Sequence, residues 1–528
     1  MHIDMDTYQK NLELLQKKNP SMAIRVHIAS SQSPAAHPRA LRREKHAEIA
    51  FFTDLVSCYE DVKKIITQKK VAVVIETDLG KAKKMLCESF LAKLLQAETF
   101  FWHTQEEISE EFCLQLAWTY FFKSRQYFFS KKHQQMRREL EKAFCAAELI
   151  ACEYKDYGLK TVKNLFANKQ IFINSQLGTS QKLDSVAILC GAGPSLERSY
   201  GFLKQVANKA WIFAGGSALE FFAKHQIPVD VACAIDPDLV IDGSKVQAAR
   251  FFYSLRCNPQ TAASFSKERF VFPGSGESLL EQKLWETVFT DKPCLQESGW
   301  TVGNFMATCA VACGISHVVF VGMDMVYRGG QEYANTITAR SEKKTVCTII
   351  DKDGKKKKTR QEFLAARAFY EELIQKNPQI SFYNLDPSGL VIEGAARLEP
   401  CQLASSIQQS QKRQLSSEPL KPSKKKVEEF FLECKASFFQ TQRLSKTMLE
   451  KAFLAESKGK DLRAFVALEE HDLEEQMFYQ LIFLRLWDVW QWKLLQGDKV
   501  SSASAFLKKL LFLQDVIQSY TRFFEEIR

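Results

Sequence analysis

Cysteine is present in this 528-residue chain but never in a metal-binding pattern: the 14 copies include no Cys-x-x-Cys pair. Cys309 and Cys313 stand four apart, but no histidine or acid follows at zinc spacing, so they read as small buried apolar residues. The absence of a dense cysteine framework fits a reducing compartment. Long apolar runs are also missing. The best one, residues 481–486, is interrupted by Arg485 and followed by Asp488, too short to cross a bilayer. The first 18 residues carry Asp4, Asp6 and Glu13 and no apolar core, which excludes a signal peptide. The expectation is a soluble cytoplasmic protein without a membrane span. A large charge excess is missing as well. The net +10 comes from two short stretches: residues 343–360 hold eight basic and two acidic side chains, and residues 411–426 hold six and one. The rest is close to neutral, so nucleic acid is not an expected partner. No repeat recurs at a fixed period. What is abundant is phenylalanine, 40 copies, many in doublets such as Phe51-Phe52, Phe100-Phe101 and Phe438-Phe439. These read as core and interface of helical regions.

Three regions and a linker separate. Residues 1–180 read as mainly helical, with one strand-like run, Val71 to Ile75, and a long amphipathic stretch from Glu107 to Tyr154. Residues 181–400 alternate short β-branched runs with helical stretches. The runs are Val186–Cys190, Trp211–Ala214, Val231–Ile235, Arg269–Phe272, His317–Val321, Val346–Ile350 and Ile380–Asn384. That alternation predicts an α/β fold, a doubly wound, Rossmann-like and mainly parallel sheet. Residues 401–426 read as a basic linker and 427–528, which lack proline, as a helical bundle. Trp487, Trp490 and Trp492 are expected to pack in that bundle; the alternative is a homo-oligomer face.

The sharpest local signal follows the first central strand. Val186–Cys190 runs into Gly191-Ala192-Gly193-Pro194-Ser195 and then a helical segment. Glycines there allow positive φ and close backbone approach. Proline suits a first helical turn. The N–H groups near Ser195 and Leu196 are expected to face an anion, with phosphate the usual occupant. The loop is neither a Walker A loop nor a complete Gly-x-Gly-x-x-Gly. The second strand ends in Gly215-Gly216-Ser217, where Ser217 either caps a helix or faces the ligand. The third delivers Asp236 and then Asp238, ligands for a ribose or Mg²⁺, or else a turn before proline. Further on, Ser298-Gly299-Trp300-Thr301 opens a helix of small residues, and the strand from His317 presents Gly322 and Asp324. His317 starts that strand at the opposite end and is discounted. The lysine run 355–358 reads as an exposed hairpin turn, or alternatively as a contact for an acidic acceptor protein.

Taken together, Ala192 to Leu196, Ser217-Ala218-Leu219, Ile227 to Asp230 leading to Asp236, and Gly322-Met323-Asp324 resemble the MptE-like domain. That domain occurs in archaeal 6-hydroxymethylpterin diphosphokinases and in bacterial motility accessory factors. The latter glycosylate flagellin with nonulosonic acids, and their central domain is similar to bacterial sialyltransferases. Tyr8 to Leu12, Asn164 to Asn168, Asp353-Gly354 with Thr359, and Asn384 followed by Gly389, Ile392 and Gly394 resemble flanking motifs of the accessory factors. The three-part layout is similar to theirs too.

The resemblance implies a nucleotide phosphate cradled by Gly191, Gly193, Pro194 and Ser195, with Ser217 in the same pocket. It implies that Asp236 contacts ribose, and that Ser298, Gly299 and Thr301 approach the nucleotide. It also implies that Tyr327 and Tyr333 donate to the leaving phosphate, stabilising its charge. Related sialyltransferases use a histidine as base, but none occurs here between His317 and His471, so either the base is a carboxylate such as Asp324, Glu332 or Asp386, or the acceptor is activated otherwise. The leading expectation is a glycosyltransferase moving a sugar from a CMP-sugar donor to Ser/Thr hydroxyls of an acceptor protein. The second is an ATP- and Mg²⁺-dependent diphosphokinase with Asp236 and Asp238 on the metal. The third is a nucleotide-binding scaffold without catalysis.

Overall fold

The computed structural model describes residues 5–28, 48–109, 112–113, 116–117, 125–129, 131–273, 278–289, 301–328, 331–335, 337, 346–385, 388–398, 407, 412–415, 419–487 and 502–526. The chain divides into two compact units, Met1–Glu148 and Leu149–Arg528, rather than at residue 180.

The first unit, read as mainly helical with one strand-like run, contains a four-stranded parallel sheet. Its strands are β1 (Ile49–Thr53), β2 (Val71–Glu76), β3 (Phe100–Thr104) and β4 (Arg125–Phe128), in the order β3-β2-β1-β4. Helices α1 (Met5–Lys18) and α2 (Leu55–Thr67) belong to it. The phenylalanine doublets explain the difference. Successive strand residues face opposite sides of a sheet, so Phe51 and Phe52, both fully buried, belong to two different faces. A sheet covered on both sides loses the polar/apolar alternation that announces a strand. The stretch from Glu107 to Tyr154 is likewise not one helix: it contains β4, and the long helix α3 runs Gln134–Ala167.

The second unit contains the expected doubly wound sheet, larger than read. Its strands in chain order include β5 (Gln176–Leu177), β7 (Val186–Cys190), β8 (Trp211–Gly215), β9 (Val229–Ala234), β10 (Ala248–Tyr253), β11 (Glu268–Val271), β12 (His317–Val321), β15 (Ser381–Asn384) and β16 (Ala396–Arg397). All are parallel, in the order β16-β15-β12-β7-β8-β9-β10-β11-β5. β10 was missed because it opens Ala-Ala-Arg before its buried Phe251, Phe252 and Tyr253. Between the strands come α4 (Ser195–Arg198), α5 (Ala218–His225), α6 (Val302–Ala312) and α7 (Gln361–Lys376). Ala307, Cys309, Ala310 and Cys313 at α6 are fully buried in the sheet core, as their small size predicted. Burying each large apolar side chain of that core, such as Phe213, Phe252 or Phe320, contributes roughly 1.5–3 kcal/mol.

Two expectations change. The run Val346–Ile350 contains a strand, but not one of the main parallel sheet. β13 (Cys347–Ile350) and β14 (Lys356–Thr359) form a separate antiparallel hairpin, with Gly354 at φ 77° in its turn. Within the lysine run, Lys357 is not simply solvated: its ammonium sits 2.8 Å from Asp351 and 2.9 Å from Asp353. The segment read as a linker also carries structure. β17 (Arg413–Leu415) pairs antiparallel with β6 (Lys182–Asp184), and Lys412 lies 2.7 Å from Asp230. Helices α8 (Lys424–Ser457), α9 (Leu462–Glu474) and α10 (Ser502–Glu526) supply the C-terminal helical region. Trp487 is 7% exposed and packs on Phe512; Trp490 and Trp492 lie outside the described residues. No helix among the described residues is long and apolar enough to cross a membrane.

Candidate functional site

Strand order in the second unit reverses at β7, which has β8 on one side and β12 on the other. Open α/β sheets bind ligands outside the carboxyl ends of strands at such a switch point. A cavity of about 320 Å³ lies there, lined by Gly191, Ala192 and Gly193 after β7, Gly215, Gly216 and Ser217 after β8, Asp236 after β9, and Gly322 and Asp324 after β12.

The glycines serve this geometry differently from the expectation. Gly191 and Gly193 do not have positive φ; Gly216 (55°) and Gly322 (67°) do. A Cβ on Gly191 would stand 2.6 Å from the Gly322 carbonyl oxygen, and one on Gly193 would stand 2.5 Å from Asp324 Oδ2. These glycines therefore let the ends of β7 and β12 close on each other. Gly191 N–H donates to the Val321 carbonyl at 2.8 Å and Gly193 N–H to the Gly322 carbonyl at 2.9 Å.

Nor are the N–H groups of Ser195 and Leu196 open to a bound anion. Ser195 N–H donates to Asp324 Oδ2 at 2.7 Å, and Leu196 N–H to the Gly193 carbonyl at 3.0 Å. Pro194 precedes α4 as its cap residue, and neither Pro194 nor Ser195 lines the cavity. Asp324, 2% exposed, also accepts from Arg328 at 3.1 Å. Its carboxylate acts as a clasp for the loop, not as an open base. Elements beyond β12 support the clasp: the Thr359 hydroxyl donates to the Met325 carbonyl at 2.7 Å, and Leu390 N–H to the Asp324 carbonyl at 2.9 Å.

The structure decides two ambiguous residues. Ser217 precedes α5 without making a side-chain cap bond, and it lines the cavity. Asp236 is both a turn device and a wall. Its Oδ1 accepts from Asp238 N–H at 2.8 Å and Leu239 N–H at 3.0 Å, while the residue lines the cavity. Asp238 does not line it and pairs with Lys160. The two acids therefore do not converge on one metal, and no group of three potential ligands occurs among the described residues. Of the acid pair named for Mg²⁺ in the diphosphokinase reading, only Asp236 stands in the cavity wall.

Thr301 lines the cavity and caps α6, its hydroxyl accepting from Asn304 N–H at 3.2 Å. Ser298, Gly299 and Asp386 lie outside the described residues. Of the tyrosine pair, Tyr333 lines the cavity and Tyr327 does not. The Tyr327 hydroxyl donates to Glu332 at 3.2 Å, and burial raises its pKa.

The charged walls were not read from the sequence. Arg360, 8% exposed, reaches Glu332 at 3.0 Å and Glu362 at 3.1 Å and lies over the Phe363 ring, 4.1 Å from its centroid. Arg256, 5% exposed, pairs with Glu153 of α3. Burial first, with Asp236 adding to it, pushes the Glu153 carboxyl above its ordinary range. Tyr157 joins Glu153 in the wall. A signal did exist for these two. Glu153, Tyr157 and Asn164 recur at helical spacing on α3, with Asn168 just past its end, and Asn164 and Asn168 bound the motif quoted above. Asn164 Nδ2 donates to the Pro237 and Arg256 carbonyls at 3.1 and 2.8 Å, and Asn168 Nδ2 to those of Leu255 and Cys257 at 2.8 and 2.9 Å. The motif ties together the loops that carry Asp236 and Arg256.

Residues 159–330 match the family model described as 6-hydroxymethylpterin diphosphokinase MptE-like. The match covers β7 to β12 and most of the cavity wall. The whole chain is similar in fold to the MAf glycosyltransferase of Magnetospirillum magneticum AMB-1, with a TM-score of 0.53 and 13% identity, covering 99% of this chain and 97% of that one. No curated protein matches the chain.

Proposed function

We propose that this protein is a nucleotide-sugar-dependent glycosyltransferase of the motility-accessory-factor type, which transfers a sugar from a CMP-linked donor to Ser/Thr hydroxyls of a protein acceptor. The observation that carries the reading is the glycine-floored cavity at the switch point, inside the MptE-like segment. The fold likeness to a glycosyltransferase over the full chain, which includes the regions flanking that segment, supports it over the kinase reading. So does the divergence of Asp236 and Asp238.

In this reading the donor lies across the carboxyl ends of β7, β8 and β12. Bare backbone at Gly191, Gly215 and Gly216 admits it closely. The Ser217 hydroxyl and the Tyr333 phenol are the neutral donors toward its phosphate. Arg256 and Arg360 supply positive charge that their paired carboxylates hold in place. Transition-state stabilisation then comes from fixed dipoles and guanidinium groups.

The test is a panel of CMP-N-acetylneuraminate, UDP-N-acetylglucosamine and ATP with Mg²⁺, reading nucleotide release and calorimetric binding. Release of CMP, together with binding of CMP weakened in Ser217→Ala and Tyr333→Phe, is expected. Binding of ATP only with Mg²⁺ would instead favour the diphosphokinase. CMP binding without turnover of any sugar donor would leave a scaffold, and silence toward every nucleotide would remove the reading.

A further inference from the structure

The transfer reaction needs a group to take the acceptor's proton, and the chain offers no histidine between residues 318 and 470. The inference below rests on the glycosyltransferase reading. Among the described residues, five carboxylates line the cavity: Glu153, Asp236, Asp324, Glu332 and Glu362.

Four of them are engaged in ways that suit other tasks. Asp324 is 2% exposed and holds Ser195 N–H and Arg328. Asp236 spends Oδ1 on two turn N–H groups. Glu332 receives the Tyr327 hydroxyl and faces Arg360. Glu362, with its side chain 46% exposed, is paired with the same arginine at the outer edge of the wall.

Glu153 differs. It projects from α3, a helix outside the strand-end loops, with its side chain 22% exposed. One arginine, Arg256, fixes its orientation, and the carbonyl of that arginine is in turn held by Asn164. The ionisable groups acting on it are Arg256 after β10, Asp236 after β9 and Asp156 on its own helix. Burial and the two acids favour its protonated form, and Arg256 favours its ionised form. A carboxyl whose two states are brought closer in energy is the better proton acceptor near neutral pH.

We propose that Glu153 is the catalytic base of the transfer. As the acceptor hydroxyl oxygen bonds to the anomeric carbon, its proton passes to the Glu153 carboxylate. The bond from the anomeric carbon to the phosphate oxygen breaks, and the nucleotide leaves with that electron pair. Glu153 returns the proton to solvent before the next turnover.

The experiment uses the full chain with CMP-N-acetylneuraminate as donor and water as acceptor, following CMP release against pH for wild type, Glu153→Gln and Glu153→Asp. Glu153→Gln is expected to lower kcat by roughly 100-fold or more and to abolish the acid limb of the kcat/KM profile. Glu153→Asp, which keeps a carboxylate, should restore part of kcat and move the limb. A Glu153→Gln enzyme that keeps kcat within about threefold and retains the acid limb would overturn the assignment while leaving the transferase reading intact. If Glu153→Gln fails to fold, an acid limb unmoved in Glu153→Asp overturns it equally. A wild type that releases no CMP would remove the transferase reading, and this inference with it.

Discussion

The two parallel sheets share an order about one strand, with β2 and β4 flanking β1 in one, and β8 and β12 flanking β7 in the other. They differ in what stands at the carboxyl ends. β7, β8 and β12 run into Gly191, Gly215-Gly216 and Gly322, and a cavity opens there. β1 and β2 run into Asp54 and Glu76-Thr77, and the side chains close over the edge. Asp54, held at φ 59°, accepts from Thr77 N–H at 3.2 Å and the Thr77 hydroxyl at 2.6 Å. Glu76, 1% exposed, accepts from Leu55 N–H at 3.3 Å and the Trp102 indole N–H at 3.2 Å. A strand order of this kind creates a place for a ligand; glycine leaves it open and an acid fills it.

The largest expected effect breaks the closed edge. Burial, with the Asp54 carboxylate beside it, raises the Glu76 carboxyl from 4.5 to about 8. Folded Glu76 therefore keeps its proton between those values while the unfolded chain has lost it. Stability of the first unit is full below pH 4.5, falls as pH rises toward 8, and levels off above, by a total on the order of 4 kcal/mol. Glu76→Gln, neutral at every pH, should flatten that slope. Unfolding by urea at several pH values, followed by Trp fluorescence, checks it, and an equal slope in the variant would contradict it.

Next in size, Gly193→Val should cost about 3 kcal/mol or more, because its Cβ meets Asp324 Oδ2 and the Gly322 carbonyl. Nucleotide binding should vanish with it. Asp324→Asn removes the charge from the same clasp and should cost roughly 1.5–3 kcal/mol by urea unfolding.

A paired test sharpens the comparison further. Asn11 Nδ2 donates to the Leu86 and Glu88 carbonyls at 2.8 and 2.9 Å, as Asn164 does to Pro237 and Arg256. Each Asn→Ala should cost about 2 kcal/mol of unfolding free energy. Only Asn164→Ala should also weaken CMP binding in a calorimetric titration, because only Asn164 ties loops of the cavity wall. The smallest effect is expected from Ser217→Ala: a few-fold loss of CMP affinity with no change in stability, since its hydroxyl makes no cap bond.

The glycine floor was legible in the sequence because it is local: each glycine follows its own apolar strand directly. What the floor does was less legible. That Ser195 N–H goes to Asp324 depends on a residue 129 positions away. The pairing of the charged wall was hidden for the same reason. Glu153, Arg256 and Arg360 come from a helix, the end of an overlooked strand and the end of a hairpin, and none sits in a motif of its own. In the first unit the fully buried β1 resembled helix, since Ile-Ala-Phe-Phe-Thr has no alternation to separate the two.

The central claim is that the glycine-edged sheet takes a nucleotide and the acid-edged sheet does not. Hydrogen–deuterium exchange of the full chain with and without CMP tests it most directly. Slower exchange is expected in peptides covering 190–197, 214–220 and 234–239, with no change in 52–57 or 75–80. Protection at the ends of β1 and β2, or protection nowhere, would contradict it.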